Sequence, residues 1–520
     1  MYEAVQRSCR EVQWTPRAAP LQVERVSADT GVVYTAPVNP DPSIHPLRGR
    51  RYHFSGAGGS GMTPLAILAA SLGASVSGSD RNLDRGLALP SFDALRAAGV
   101  TLVPQDGSGV IPELDALVHS TAVEAGNPDF QRAVALGVDR IRRGSFLAKV
   151  ASSRRTVAIA GTSGKSTVTA MVAHILVEAG LDPWFLGGGP AVSLAGSIPP
   201  GSLRVGAGSL FVVETDESDG SVAEFEPAIA VLTNLSRDHK EIAETQLLFE
   251  ALVAHTREQT VMNCGDPVLE GLRVPAGHAR VTVAVEGGPC WAEPDFLARS
   301  IALGSSGVRF ELRGVPVAIP FPGVLSVENG TMAIAAATAA GVALEDAARA
   351  LESFGGVKRR LERIGSARGI DVYDDFGHNP VKIGAALQAL RPTGAYWVYY
   401  QPHGYGPTRF FRDELVSMLQ ATLRPGDHFL LAPIYDAGGT ANRTIRSEDL
   451  VEQLRGVGVD AELAATREDA ARRVATGARP GDRAVVMGAR DDTLPAFARA
   501  LLQAIQSPAG QETAATRPHS

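Results

Sequence analysis

Short apolar runs alternate with glycine-rich or acidic loops along this chain, and the alternation occurs in three successive blocks. Near residue 51, RYHFSGAGGSGM reads as a strand, a glycine loop and a helix start. PLAILAASLGA continues that helix, SVSGSD is a second strand, and LDALVHST is a third that ends in a polar loop. A second block opens with TVAIAGTSGKST, again strand, loop and helix, followed by an apolar stripe in VTAMVAHILVEAGL. LFVVETDESDG and PAIAVLTNLSRDHKE are apolar strands that end in acidic or histidine-bearing loops. In the third block GIDVYDDFGHNP, AYWVYYQPHGYG and RAVVMGARDD repeat the form, with the helical stretches VKIGAALQAL and RDELVSMLQATL between them. Strands that alternate with helices imply parallel sheets with crossover helices. The expected fold class is therefore α/β in three domains: a Rossmann-like domain at 49–151, a central P-loop domain with a mostly parallel sheet at 152–354, and a second Rossmann-like α/β domain at 355–506. Residues 1–48, with few periodic apolar positions, read as a poorly ordered extension, and 507–520 as a flexible tail.

A length of 520 residues agrees with about three domains. The net charge of -7 is spread over interspersed acids and bases with no basic stripe, and aromatic residues are 6%. Nucleic acid is thus not an expected partner. No apolar run reaches the roughly 18 residues of a membrane span, and the first residues lack the apolar core of a secretory signal. Cys9, Cys264 and Cys290 show no ligand spacing. The expectation is no disulfide framework, no zinc site and a cytoplasmic protein.

The chemistry concentrates at strand ends, where open α/β sheets bind ligands. Gly161, Thr162, Ser163, Gly164, Lys165, Ser166 and Thr167 follow a strand and open a helix. Such a loop points backbone N–H groups at phosphates; the lysine reaches the terminal phosphates and the serine hydroxyl serves Mg²⁺. Ile159 stands where the usual G-x-x-x-x-G-K-[ST] pattern has its first glycine, so the loop reads as a shortened variant. Glu214, Asp238 and His239 end the next strands; Mg²⁺ takes one or two carboxylates plus substrate phosphates. Alone, His239 reads as a structural hydrogen-bonder, and Asp216, Glu217 and Asp219 as a solvated acidic loop. Gly56, Gly58, Gly59, Ser60 and Gly61, with Asp80 about 20 residues on, match a dinucleotide fingerprint and equally a structural turn.

Taken in order, HFSGAGGSGM, SGSD, HSTAVEAGNPDF, Arg142–Arg143, AGTSGKST, ETDESD, TNLSRDH, DDFGHNP, YQPHGYG and VMGARD resemble the Mur ligase family across residues 50–505. The resemblance implies a UDP-sugar domain, a central ATPase and a mobile C-terminal domain. It implies ATP and Mg²⁺ as cofactors, with Lys165 on phosphate and Ser166, Glu214 and His239 on metal. Asn329, Arg360 and Asp375 fall near the nucleotide. Gly56 to Gly61, Asp80, Ser120 and Asn127 fall on the UDP-sugar side, and His378, His403 and Arg409 on the amino-acid side. The implied activity joins an amino acid, L-alanine in the members it resembles most, to the carboxylate of UDP-N-acetylmuramic acid through an acyl phosphate, in a cytoplasmic monomer or homodimer.

The chain departs from those members in places. Glu328–Met332 reads ENGTM where they carry H-N-x-x-N, and Gly377–Pro380 reads GHNP where they carry G-H-H-P. Gly404 replaces an arginine after QPH, with Arg409 the next basic residue, and Gly488–Asp491 reads GARD for G-A-G-[ND]. Drift within the alanine-adding members and a paralogue that uses another amine both remain open. Two other classes compete: a non-catalytic UDP-sugar sensor, which intact Lys165, Ser166, Glu214 and His239 oppose, and a P-loop kinase, which leaves DDFGHNP and QPHGYG unexplained.

Overall fold

Strand Arg51–Ser55 lies at the centre of a five-stranded, all-parallel sheet. It is flanked by Ser75–Ser79 and Ala116–His119, with Thr101–Val103 and Arg140–Arg142 at the edges. The strand order runs outward in both directions from this strand, so the loop after Ser55 sits at the topological switch point. In the computed structural model, residues 45–507 are described apart from 122, 125, 195, 199–200, 238–239, 437–442 and 490. Asp238, His239, Arg490, the first 44 residues and the tail from 508 therefore lie outside the described residues. The expected extension overlaps the folded chain: Leu47 is 2% exposed, and the His45 ring lies 6.1 Å from that of Trp184.

The second sheet has ten strands. Arg155–Ala160 is interior, with Leu210–Glu214 on one side and Ile229–Leu232 on the other, both parallel to it. Its strand residues from Thr156 onward are all buried, as a sheet covered on both faces requires. Parallel pairing continues through Gln259–Asn263 and Ala279–Val285 to Phe296–Leu303. There the hairpin Val308–Leu312 and Val315–Ile319 adds two antiparallel strands. Val308–Leu312 shows the alternating burial of a sheet with one wet face. Helix Lys165–Glu178, expected to carry a stripe, is buried on nearly every side, because helix Val324–Ala339 and the sheet enclose it.

The third sheet has six strands. Ile370–Asp375, Arg483–Gly488, Tyr396–Gln401, His428–Leu431 and Ala461–Leu463 are parallel, and Glu362–Ala367 is an antiparallel edge. The segment 354–361 joins this sheet to the second. Within it Arg359 and Leu361 take positive φ of 59° and 49°, a costly backbone for side chains with a β-carbon. Two neighbouring carboxyls of Ile370–Asp375 hold them: Asp375 accepts the Leu361 N–H at 2.8 Å, and Asp374 pairs with Arg359 at 3.3 Å. A further tie joins the two sheets' surroundings, where Arg237 reaches Glu414 at 3.3 Å and lies 4.4 Å over the Phe410 ring.

One expectation fails here. Cys264 and Cys290 form a disulfide, with Cα atoms 4.9 Å apart. Cys264 follows strand Gln259–Asn263, and Cys290 lies in the turn that follows the neighbouring parallel strand, so the sheet joins what linear spacing separates. Cysteine usage therefore gives no argument for a reducing compartment.

Asp374 is fully buried, and burial pushes its carboxyl up from 3.8 to about 6, with Arg359 opposing and Glu362 and Asp375 adding to the rise. A raised carboxyl stabilises the fold fully below its unfolded value and loses that contribution as pH climbs through the folded one. Asp374→Asn removes the ionisation. Its stability relative to wild type should shift in the variant's favour by about 2–3 kcal/mol between pH 4 and pH 7, read from denaturant midpoints at each pH.

Candidate functional site

The phosphate loop is shaped by its neighbours. Gly161 has a φ of 138°, and a β-carbon there would lie 2.0 Å from Thr233 Oγ1. Gly164 has a φ of 81° and caps the helix that starts at Lys165. Asn234 at the end of strand Ile229–Leu232 grips the loop through both ends of its amide, accepting from Ser163 N at 2.9 Å and donating to Ser163 O at 3.0 Å. Thr162 Oγ1 donates to Ser236 O and accepts from Ser236 N. The loop is thus held from behind, and the Ser163 hydroxyl is buried with no hydrogen-bond partner among the described residues.

Lys165 donates to Gly161 O at 2.5 Å and to Glu217 at 2.8 Å. Burial works against its charge, but Glu217, Glu214 and Asp216 outweigh it and hold its pKa above the ordinary value. Ser166 Oγ donates to Glu214 at 3.2 Å, and Gly188 N donates to the other Glu214 oxygen at 2.7 Å. A β-carbon at Gly188 would fall 2.6 Å from that carboxylate, so this glycine is part of the site. A guanidinium N–H of Arg360 reaches Ser166 Oγ at 3.4 Å, and Arg360 lies 4.9 Å over the Phe376 ring.

These groups face a cavity of about 530 Å³. Gly56, Gly59, Ser60, Gly61 and Ser120 close it from the first sheet, and Phe376 and Lys382 from the third. Arg143 joins the walls by pairing with Asp216 at 2.8 Å and packing against Gly61. Burial alone would raise the Asp216 carboxyl, yet hydrogen bonds from Ser218 and the charges of Arg143 and Lys165 hold it below the usual range. A second cavity of about 340 Å³ opens on the other side of the phosphate loop. It is lined by Gly164, Thr167, Asn329, Arg360 and Asp375 and by apolar side chains that include Met171, Phe321 and Met332.

The other expected residues divide. Asp80 is spent on the glycine loop itself: its two oxygens accept from Gly58 N at 3.0 Å and Asn82 N at 2.8 Å. A β-carbon at Gly58 would meet both Phe92 and Asp80. Asn127 caps helix Pro128–Leu136 by accepting from Asp129 N and Phe130 N. His378 and His403 stand with rings 4.8 Å apart and line a separate crevice with Tyr400 and Thr408. Arg409 is exposed on the short helix Tyr405–Phe410 and reaches Thr444 Oγ1 at 3.4 Å. Among the described residues no group of three His, Cys, Asp or Glu side chains stands ready for a metal, and His239 falls outside them.

Sequence reasoning missed Arg143, Gly188, Glu217, Phe376 and Lys382 as members of the site. Arg143 and Glu217 sat inside quoted motifs, RR and ETDESD, and the strand-end position was a usable signal. Lys382 follows GHNP on a helix face and carried none.

Residues 51–155 match the Mur ligase family catalytic domain, 159–337 the Mur ligase middle domain, and 359–490 the Mur ligase glutamate ligase domain. The UDP-N-acetylmuramate–L-alanine ligase of Maricaulis maris is 33% identical over 460 residues, 86% of this chain and 95% of that one. The enzyme of the same name from Rhizobium etli is 30% identical over 88% of this chain and 98% of its own. Among solved structures, the UDP-N-acetylmuramate–alanine ligase of Thermotoga maritima shares the fold with a TM-score of 0.69 at 24% identity, over 88% of this chain and 99% of that one. A murein peptide ligase of Psychrobacter arcticus has a TM-score of 0.63 at 26% identity over 88% and 99%. With three domain models in order and relatives above 30% identity along most of its length, the chain belongs to the Mur ligase family.

Proposed function

We propose that this chain is an ATP-dependent ligase that joins an amino acid, L-alanine, to the carboxylate of UDP-N-acetylmuramic acid, as a step in making peptidoglycan precursors. The observation that carries the reading is the convergence of the two glycine-rich loops on one cavity, with Arg360, Phe376 and Lys382 closing its third side. One loop suits a nucleoside triphosphate to be spent, and the other suits the diphosphate handle of a UDP-sugar.

The site fits the implied Mg²⁺ by its donor set, since Ser166 Oγ and Glu214 present the oxygens a hard cation takes, with His239 as a further proposed ligand. Bound there, the ion supplies charge neutralisation for the phosphates. Lys165 and the backbone N–H groups of the loop bind and orient the phosphates, and Arg360 adds positive charge from the segment that joins the second and third sheets. In the proposed reaction a carboxylate oxygen of the sugar acid attacks the γ-phosphorus and ADP departs. The amine nitrogen then attacks the acyl carbon, the carbon–oxygen bond to phosphate breaks, and the nitrogen gives up a proton to the departing phosphate or to solvent. Positioning and electrostatics supply most of the acceleration in such phosphoryl transfers. His378, His403 and Arg409 are proposed on the amine side, which requires the third sheet to close over the cavity and exclude water from the acyl phosphate. The reaction would run in the cytoplasm, where ATP is available; no described helix is long and apolar enough to cross a membrane.

A second reading, another amine in place of alanine, is favoured by Gly404. Its φ of 130° suits glycine and would strain an arginine, so the loop that follows His403 is built around a different residue.

Phosphate release should require ATP, Mg²⁺, UDP-N-acetylmuramic acid and an amine together. Release with L-alanine supports the first reading, release with another amine the second, and no release with any amine rejects both. Lys165→Ala should abolish this turnover while calorimetry still detects UDP-sugar binding; normal turnover in that variant would sink the cradle assignment. Arg409→Ala should raise the amine KM by about tenfold, the scale of a lost charged hydrogen bond, with the ATP KM little changed; an unmoved amine KM would remove Arg409 from the site.

A further inference from the structure

The cavity of about 340 Å³ beside the phosphate loop is a slot with apolar walls, formed by residues such as Met171, Phe321, Met332 and Phe354. Such a slot gives a flat base affinity but little selectivity, because every base has apolar faces. Selection falls to the polar groups that line it, and most of these are already committed. Asn263 donates to Thr233 O and accepts from Gly265 N. Asp266 accepts from Leu235 N and Val268 N, both at 2.8 Å. Asp375 accepts from Leu361 N and Gly377 N. Asn234 has both ends of its amide on Ser163.

Glu328 differs from these. It stands one turn into helix Val324–Ala339, lines the slot, and makes no hydrogen bond to any described residue. Its neighbour Asn329 turns to the phosphate loop, with Oδ1 2.6 Å from the place a β-carbon on Gly164 would take. Glu328 is thus left facing the base side. Burial raises its carboxyl above the usual range, and the charge of Asp266 adds to the rise. A half-buried carboxyl with no hydrogen-bond partner among the described residues is left partly unsatisfied, and a ligand that supplies the partner offsets part of that cost.

We propose that Glu328 selects the nucleobase by accepting a hydrogen bond from the 6-amino group of adenine. This inference rests on reading the slot as the nucleoside site of a triphosphate. A carboxyl oxygen accepts in either protonation state, and the neutral acid also donates to the ring nitrogen beside the amino group. Opposite a carbonyl at position 6, the ionised carboxylate sets two acceptors against each other. Sites built to hydrogen-bond one substrate group discriminate strongly against analogues that lack it.

The test compares ATP, purine riboside triphosphate, which lacks only the 6-amino group, and GTP, in the wild-type enzyme and in Glu328→Gln and Glu328→Ala. KM is read from phosphate release with saturating UDP-N-acetylmuramic acid and amine. Wild type should prefer ATP over purine riboside triphosphate by about tenfold or more. Glu328→Gln keeps a carbonyl acceptor and should keep the preference, whereas Glu328→Ala should bring the two KM values to within about twofold. UDP-sugar binding by calorimetry checks that each variant is folded. Equal KM values in wild type, a preference for GTP, or an undiminished preference in Glu328→Ala would overturn the assignment. A wild-type protein that binds no triphosphate at all would instead overturn the nucleotide reading on which it rests, and that result appears before any variant is compared.

Discussion

Everything at the centre of this molecule depends on where one part-buried ammonium points. Lys165 is held between a backbone carbonyl of its own loop and the carboxylate of Glu217, at 2.5 and 2.8 Å. An unpaired charge on a side chain only 15% exposed would be costly. The acidic strand end is therefore a structural necessity as much as a chemical one. Glu217, Glu214 and Asp216 keep the lysine charged, and Ser218 together with Arg143 holds the Asp216 carboxyl below its usual range. This chain of alternating charges runs from the middle sheet to the rim of the first. It fixes the glycine loop of one domain against the phosphate loop of the next, with Arg143 in contact with Gly61.

The features legible in the sequence were those set by neighbours along the chain. A glycine loop between an apolar strand and a helix has few conformations open to it, so the loop 161–167 and the loop after Ser55 could be placed between their strands and helices directly. The three-block alternation gave the three sheets for the same reason. Pairing across a sheet depends on residues far apart, and there the reading was incomplete. The antiparallel hairpin that ends the middle sheet was not expected. The disulfide between Cys264 and Cys290 was excluded on spacing and is present because two parallel strands bring their ends together.

The same limit governs individual roles. Asp80 and Asn127 were read toward a ligand from their positions in motifs, yet their side chains hold the backbone around them. Both readings can hold at one position, since a residue that shapes a loop also shapes what the loop binds. Gly188 shows the converse, because a position with no side chain proved necessary to leave room for Glu214. Its importance lies in an absent atom, which no residue pattern announces.

Asp375 has one carboxylate and two duties. One oxygen holds Leu361, in the segment that joins the middle and third sheets, and the other holds Gly377, two residues along the loop that leads to His378. A swing of the third sheet about that segment therefore cannot leave the loop behind. The joining segment and that loop are fastened to one carboxylate, so any swing about the segment would carry the loop to His378, proposed on the amine side, along with it.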